Sequence, residues 1–254
     1  MTFLRFDDGG APRFGRLDAG LVTPLDAAPW AGGRDAGAPR PYERLTLLPP
    51  VPPGGKILCI GRNYLAHVKE LGNDVPAEPL VFLKPSTSLL PHGGTVLLPP
   101  ESERVDFEGE LALVIGRRAR RVGRDAYGDV VFGITPAFDI SARDLQKKDG
   151  QWWRAKGFDT FCPCGPVVAR GVDAADLSLK TFLDGELRQD ARTSRMIFDL
   201  PTLVSWVSQA MTLEPGDLLL TGTPEGVGPL AEGQLLDLEI EGLPRLSVGT
   251  AREA

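Results

Sequence analysis

Short apolar runs separated by turn residues recur along the whole chain. TFLRF, RFGRLD and LVTPLD predict three short strands within the first 46 residues, and the Pro- and Gly-rich segment LLPPVPPGGK at 47–56 predicts a boundary. Further strand-like runs follow, at KILCIG, LVFLKP, TVLLPP, GELALVIG, VVFGITPAFDI, PCGPVVA, LSLKTFLDG, DLLLTG, LLDLEIEG and RLSVG. The pattern predicts a β-rich α+β protein with a small N-terminal β domain at residues 1–50 and a larger domain at 55–254.

Helical patterns are few. One is expected from Asn63 through YLAHVKEL to Gly72, and another at Ser141, because Ser141 and Asp144 have the spacing of a capping box. The third covers Asp199–Met211, with a proline in its first turn and an apolar stripe at helical spacing. So few helices argue against a doubly wound parallel sheet and favour a closed or sandwiched β architecture.

Composition excludes several classes of function. The 254 residues carry a formal net charge of −6, which is not the basic footprint of a nucleic-acid-binding protein. No apolar stretch is long enough to span a membrane, and MTFLRFDDGG lacks the pattern of a secretory signal. The three cysteines contain no C-x-x-C pair. A cytoplasmic protein with reduced thiols is therefore expected, without nucleic-acid or membrane partners.

Two acids stand at the entrance of the apolar run VDFEGELALVIG. Side chains alternate along a strand, so Glu108 and Glu110 are expected to share one face. A divalent cation would relieve the repulsion between them, and an oxygen-only ligand set suits a hard ion such as Mg²⁺. For this pair taken alone, an exposed strand end remains an open alternative.

Five other side chains are candidates for chemistry. Asp139 ends an apolar strand, and His67 precedes Glu70 by three residues, which on a helix places the pair on one face as a possible general base. Lys156 lies among aromatic residues and can stabilise an oxyanion or stack on a ring. Thr223 in TGTPEGVGP predicts a helix or turn start whose N–H groups can hold a carboxylate. Taken singly, a turn acid, a surface pair and a stacked cation remain alternatives.

Seven motifs in order carry a resemblance to a known family. They are GRNYLAHVKE, EPLVFLKPSTSLL, DFEGELALVIG, FDISARDLQ, KGFDTFCPCGP, GELRQDARTSRMIFDLP and GDLLLTGTPEGVGP. Over roughly residues 55–250 the chain resembles the fumarylacetoacetate hydrolase family, and most closely its short acylpyruvase and oxaloacetate decarboxylase branch. The resemblance implies a mixed β-sandwich roll, a homodimer, and a lid formed by the helix that carries His67.

The resemblance also implies a role for each matching residue. Glu108, Glu110 and Asp139 would bind Mg²⁺ or Mn²⁺, and His67 with Glu70 would activate water. Lys156 and Gln146 would meet the developing oxyanion. Arg143 and Thr223 would hold the carboxylate end of the substrate.

The implied function is a metal-dependent hydrolase or lyase of 2-oxo acids. It would cleave the C–C bond of acylpyruvates, as a fumarylpyruvate hydrolase does, or decarboxylate or tautomerise oxaloacetate through a pyruvate enolate. The stretch CIGRNYLAH lacks the additional acidic ligand of the larger fumarylacetoacetases, which argues against fumarylacetoacetate as the substrate, and Phe138 stands where many relatives have Asn. Alternatives are a 2-hydroxyhepta-2,4-diene-1,7-dioate isomerase or decarboxylase of aromatic catabolism, and a metal-binding protein of this fold without activity.

Overall fold

Strands form most of the regular structure in this computed structural model, which describes residues 1–253. The strands are β1 (Thr2–Asp7), β2 (Pro12–Asp18), β3 (Leu21–Pro24), β4 (Arg40–Pro41), β5 (Leu47–Leu48), β6 (Ile57–Gly61), β7 (Leu80–Lys84), β8 (Leu89–Leu90), β9 (Thr95–Leu98), β10 (Val105–Phe107), β11 (Gly109–Ile115), β12 (Val131–Phe138), β13 (Ser141–Ala142), β14 (Cys162–Pro163), β15 (Val168–Ala169), β16 (Ser178–Leu183), β17 (Glu186–Arg192), β18 (Leu218–Leu220), β19 (Gly228–Pro229), β20 (Leu235–Ile240) and β21 (Leu246–Arg252). The α-helices are α1 (Leu65–Glu70), α2 (Tyr127–Val130), α3 (Arg143–Lys148), α4 (Trp153–Gly157) and α5 (Leu200–Ala210).

The strands form two large sheets and two small ones. The largest sheet has the order β4-β3-β2-β1-β15-β12-β11-β18-β6-β7, with β5 beside β1, and the second has the order β17-β16-β20-β21-β9. Two short sheets, β13-β10-β19 and β14-β8, connect the segments around the site described below. Most pairs are antiparallel, whereas β6–β18, β9–β21 and β8–β14 are parallel. The prediction of a β-rich, mixed α+β fold is therefore confirmed.

The first three strands form the antiparallel meander that the sequence predicts. The meander joins the rest of the large sheet through β1, which pairs with β15 at Thr2↔Ala169 and Phe3↔Val168. The N-terminal 50 residues thus share a hydrogen-bonded sheet with the segments that follow. Their separation into an independent domain stays a prediction.

Strand β11 is buried on both faces. Leu111, Leu113 and Ile115 belong to the main hydrophobic core, whereas Ala112 and Val114 pack into a second cluster on the opposite face. Burial on both faces explains why this segment reads as a nearly continuous apolar run. It also makes β11 a rigid support for Glu110 within it and for Glu108 directly before it.

The helix predicted over Asp199–Met211 is confirmed by α5, which covers Leu200–Ala210. The Asp199 side chain caps it by accepting a hydrogen bond from Thr202 N. Helix α1 is shorter than predicted: it begins at Leu65 and ends at Glu70. None of the helices within residues 1–253 combines the length and apolarity needed to cross a membrane.

The helix predicted to begin at Ser141 is wrong in its start and in its cap. Ser141 belongs to β13, which pairs with β10, and α3 begins at Arg143. The Ser141 hydroxyl donates to Asp139 O (3.0 Å) instead of capping the helix. Asp144 accepts a hydrogen bond from Ser102 Oγ (2.6 Å), so the capping-box partners bind elsewhere.

Candidate functional site

Three buried carboxylates converge at one end of β11 and β12. Oxygen atoms of Glu108, Glu110 and Asp139 lie within 4.8 Å of one another. The β11–β12 register pairs Gly109 with Phe138, and Asp139 N donates to Glu108 O (2.9 Å). The two strands therefore deliver the acids side by side. The all-oxygen donor set fits a hard divalent cation.

Glu108 does not belong to a strand, so the prediction of one continuous strand over residues 105–116 is wrong. The chain leaves β10 at Phe107 and enters β11 at Gly109, with Glu108 at the break. Gly109 N donates to Gln189 Oε1 (2.9 Å), and a Cβ at this position would collide with Thr181 Oγ1. Close packing thus requires glycine between the two glutamates.

Cations from three other segments bind two of the carboxylates. Lys156 Nζ lies 2.8 Å from Glu108 Oε2 and 2.6 Å from Asp139 Oδ2. Lys84 Nζ binds the other Asp139 oxygen at 2.6 Å, and Arg143 Nη2 lies 2.6 Å from Glu108 Oε1. These pairs are almost fully buried, so their charges are weakly screened.

The pKa values of the two glutamates move in opposite directions. Burial disfavours the charge of Glu108, but the charges of Lys156 and Arg143 outweigh burial and hold its pKa well below the usual value. Burial raises the pKa of Glu110 well above its usual value, and the charges of Asp139 and Glu108 raise it further. A cation bound among the three acids would remove this penalty at Glu110.

Lys156 keeps its charge in this setting. Burial lowers the pKa of an ammonium group, but the carboxylates of Asp139 and Glu108 outweigh burial and raise the pKa of Lys156. The ammonium can therefore donate hydrogen bonds at neutral pH.

The predicted His–Glu dyad is present on α1. His67 Nδ1 lies 3.1 Å from Glu70 Oε2, and the second oxygen of Glu70 accepts a hydrogen bond from Gly226 N (3.0 Å). When Nδ1 carries the proton in this pair, Nε2 of His67 has a free lone pair. The contact with Gly226 joins the dyad to the loop that follows β18.

One cavity of about 300 Å³ brings most of the predicted residues together. Seven of the nine line it, namely His67, Glu108, Glu110, Arg143, Gln146, Lys156 and Thr223. The other two contact residues of the cavity lining: Glu70 binds His67, and Asp139 binds Lys156. The volume is at the lower end of the range for small-molecule sites, about 300–1,000 Å³, which suits a small substrate.

Thr223 and Gln146 have protein partners that limit what each can offer. The Thr223 hydroxyl donates to Gly109 O (2.9 Å) and accepts from Gln189 Nε2 (2.8 Å). Gln146 Oε1 accepts from Arg143 Nη1 (2.8 Å), so its amide N–H groups are the ones left to donate.

The helix start envisaged at Thr223 is not present. No helix of residues 1–253 begins there, and the N–H of the preceding residue, Gly222, donates to Glu110 Oε2 (2.7 Å). This part of the loop therefore holds a carboxylate of the protein itself.

Two buried charged residues at the site were not predicted. Lys84 ends β7 inside the motif EPLVFLKPSTSLL, and Asp106 lies fully buried between Arg104 and Arg143. A lysine at a strand end and an acid beside two other acids carry no local signal of burial. Only the pairing of distant segments reveals them.

The three cysteines are buried and form no disulfide. Burial raises the pKa of Cys162 to about 12 and that of Cys59 and Cys164 well above the usual value. Protonated thiols are poor nucleophiles, so these residues contribute packing rather than catalysis.

Comparison with known proteins gives two family matches. The family model described as "Fumarylacetoacetate (FAA) hydrolase C-terminal" matches residues 56–249, and the one described as "Rv2993c-like, N-terminal" matches residues 1–50. Oxaloacetate tautomerase FAHD1 of Arabidopsis thaliana, a mitochondrial protein, is 47% identical over 78% of this chain and 92% of its own.

Solved structures share the whole architecture. 2-Hydroxyhepta-2,4-diene-1,7-dioate isomerase from Mycobacterium marinum is 39% identical with a TM-score of 0.92, covering 100% of this chain and 99% of its own. Maleylpyruvate hydrolase from Sphingobium sp. SYK-6, in complex with manganese(II) and pyruvate, is 31% identical with a TM-score of 0.82, and the match covers 100% of both chains.

Proposed function

The chain belongs to the fumarylacetoacetate hydrolase family, and from this premise we propose that it is a metal-dependent hydrolase or lyase of 2-oxo acids. One observation carries the proposal: a buried three-carboxylate cluster shares a small cavity with an ammonium donor and a His–Glu dyad. A protein that only bound metal would have no need for Lys156, His67 and Glu70 around the same cavity.

Glu108, Glu110 and Asp139 would hold Mg²⁺ or Mn²⁺. Their oxygen-only donor set favours a hard cation. The pKa of Glu110 is raised by burial and by the charges of Asp139 and Glu108, and a cation bound among the acids would relieve that repulsion as it displaces the proton. The related maleylpyruvate hydrolase binds manganese(II) and pyruvate. When bound, such an ion supplies Lewis acidity that polarises the oxygens of a 2-oxo acid.

His67, Glu70 and Lys156 supply the proton transfers and the oxyanion contact. In an acylpyruvate, Nε2 of His67 accepts a proton from water, and the water oxygen attacks the distal carbonyl carbon. Glu70 holds the imidazole by its Nδ1 proton, and the Lys156 ammonium donates to the oxyanion. Breaking the C–C bond releases a carboxylic acid and the enolate of pyruvate, which takes up a proton.

The remaining predicted residues orient the substrate in this proposal. The amide of Gln146 donates to the developing oxyanion beside Lys156. Arg143 and Thr223 face the carboxylate end of the 2-oxo acid, and Thr223 would offer its backbone N–H, because its hydroxyl proton is already donated to Gly109 O. Oxaloacetate would lose CO₂ to give the same enolate without attack by water, and its tautomerisation needs only the proton transfer.

A second candidate is an isomerase of 2-hydroxyhepta-2,4-diene-1,7-dioate. It is favoured by the full-length similarity to the Mycobacterium marinum isomerase, which includes the N-terminal residues. This reaction moves a proton along a conjugated chain, so it uses His67 and the cation but no nucleophilic water.

A substrate panel separates these reactions. Purified protein with Mg²⁺ is incubated with acetylpyruvate, oxaloacetate and the diene dioate, while pyruvate, CO₂ and diene absorbance are followed against enzyme-free controls. We expect pyruvate release that EDTA abolishes and Mg²⁺ or Mn²⁺ restores. If no pyruvate forms from either 2-oxo acid, the hydrolase and lyase assignment is wrong.

Two variants assign the roles. His67→Ala should abolish hydrolysis of acetylpyruvate but keep metal binding measured by titration calorimetry, whereas Glu108→Ala should lose both. Unchanged hydrolysis in His67→Ala would contradict water activation by this residue. The homodimer also stays a prediction, which light scattering after size-exclusion chromatography checks.

A further inference from the structure

Five cationic side chains line the cavity, and they fall into two groups. Arg104, Arg143 and Lys156 are each engaged by buried carboxylates. Arg62 and Lys147 line the same cavity, yet within residues 1–253 neither side chain forms a hydrogen bond or an ion pair. Two positive charges are therefore left for a bound molecule.

The backbone holds Arg62 in a demanding conformation. Its φ of +58° lies in the left-handed region, which side chains other than glycine rarely adopt and which persists only where the surroundings enforce it. Hydrogen bonds of the next residue hold the backbone in this conformation. The side-chain amide of Asn63 donates to Thr221 O (2.8 Å) and Phe198 O (3.1 Å) and accepts from Phe198 N (2.8 Å). The placement of Arg62 at the cavity is thus built into the fold.

Packing beneath Asn63 tightens this arrangement. Gly222, with φ of +98°, lies so close that a Cβ would approach Asn63 Cβ to 2.6 Å. The segment that carries Arg62 is therefore locked against the loop that also binds Glu110 through Gly222 N.

Lys147 lines the cavity from helix α3, whereas Arg62 directly follows strand β6. It lies four residues after Arg143 on α3, so the two side chains share one face of the helix. Arg143 is buried against Glu108, whereas Lys147 is exposed. Lys147 is thus at the mouth of the cavity, one helical turn from the cation that touches the carboxylate cluster.

We propose that Arg62 and Lys147 bind the second carboxylate of a 2-oxo dicarboxylate substrate. This inference rests on the proposed function and narrows it: the enzyme favours dianions such as oxaloacetate over monoanionic acylpyruvates such as acetylpyruvate. The inner end of the substrate meets the metal-binding acids and their cations, and the distal carboxylate meets Arg62 and Lys147. Arginine and lysine at a partly open cavity are suited to a carboxylate, because charge-assisted hydrogen bonds are the stronger kind.

The test compares two substrates across matched variants. Initial rates with Mg²⁺ are measured on oxaloacetate and acetylpyruvate for the wild type, Arg62→Gln, Lys147→Gln and the double variant, with enzyme-free decarboxylation subtracted. Lys148→Gln is the control, because Lys148 is exposed on the same helix but does not line the cavity. Thermal melting confirms that each variant is folded.

We expect each single variant to raise KM for oxaloacetate about 10-fold, the factor for one lost charged contact, with kcat nearly unchanged. For acetylpyruvate KM should stay within about twofold, and Lys148→Gln should match the wild type on both compounds. Equal losses on the two substrates, or no loss on oxaloacetate, would refute the role of Arg62 and Lys147 while leaving the proposed function intact. A wild type that turns over neither compound would refute the proposed function, and this inference with it.

Discussion

Replacing either Glu108 or Glu110, the two glutamates proposed to bind metal, by glutamine should change the stability of the metal-free protein, but in opposite directions. Glu108 is stabilised as an anion by Arg143 and Lys156, whereas Glu110 has no cation in direct contact and lies beside two other acids. Glutamine keeps the shape of the side chain and can still accept the hydrogen bond from Gly222 N at position 110. The substitution therefore removes mainly the charge.

The direction of each pKa shift gives the sign of its effect on the free energy of unfolding. A raised pKa means that folded Glu110 retains a proton that the unfolded chain has lost, so its contribution to stability falls as pH rises from the unfolded value of 4.5 towards the folded one. Each pH unit in that window costs about 1.4 kcal/mol, which at pH 7.5 limits the cost to about 4 kcal/mol. Glu110→Gln should therefore increase the free energy of unfolding, by at most about 4 kcal/mol.

Removing the charge of Glu108 should change stability in the opposite direction, because the pKa of Glu108 is lowered. Its depressed pKa contributes stability that is fully present above the unfolded value of 4.5 and is lost as pH falls through the folded value. Glu108→Gln leaves two buried cations each short of one partner, at a cost of about 3 kcal/mol. In a chain of this length that lowers Tm by roughly 6–12 °C.

Urea unfolding followed by tryptophan fluorescence, at about pH 7.5 with EDTA and again with Mg²⁺, measures both effects. With EDTA the order of stability should be Glu110→Gln, then wild type, then Glu108→Gln. With Mg²⁺ the wild type should gain stability by ligand linkage, and both variants should gain far less. If Glu110→Gln is no more stable than the wild type in EDTA, then Glu110 is not strained by its neighbours and the electrostatic reasoning fails.

Three further predictions concern the supports of the site. Asn63→Ala removes three side-chain hydrogen bonds of a buried residue and should lower the free energy of unfolding in urea by about 3 kcal/mol. Its KM for oxaloacetate should rise, because the backbone that positions Arg62 loses these bonds. Thr181→Val should be neutral or slightly stabilising in the same assay, since Thr181 Oγ1 is buried without a partner; a loss above about 1 kcal/mol would contradict this. Lys84→Met leaves one oxygen of buried Asp139 without its cation and should cost about 3–5 kcal/mol, and weaker Mg²⁺ binding in calorimetry should accompany it.

Local patterns predicted most of the longer strands and α5, because these signals depend on residues close in sequence, but they missed β17. Alternation in VDFEGELALVIG correctly indicated that Glu108 and Glu110 lie close together. The continuous strand behind that reasoning was wrong, since the chain changes sheets at Glu108. The two acids converge because Gly109 fits against Thr181 and the β11–β12 register fixes Asp139 beside them.

The start of α3 and the burial of Lys84 could not be predicted, because both depend on contacts between segments distant in sequence. Ser141 and Asp144 have the spacing of a capping box, but β10 offers Ser141 a strand partner and Ser102 offers Asp144 a donor, so tertiary pairing overrode the local preference. Lys84 looked like an ordinary strand end. Its ammonium is buried only because β7 packs near Asp139, 55 residues away in sequence.

The charges around the carboxylates should favour binding of an anion together with a divalent ion. Of the three carboxylates, Glu108 and Asp139 directly contact the cations of Lys84, Arg143 and Lys156, whereas Glu110 lies beside the other two acids. With all three carboxylates ionised, a divalent ion bound among them gives the set an excess of two positive charges, before Arg62 and Lys147 are counted. An excess of that sign in a nearly buried cavity is unfavourable alone and is relieved by a dianion. Metal and dicarboxylate should therefore bind with positive coupling, and by reciprocity each should raise the affinity for the other to the same degree.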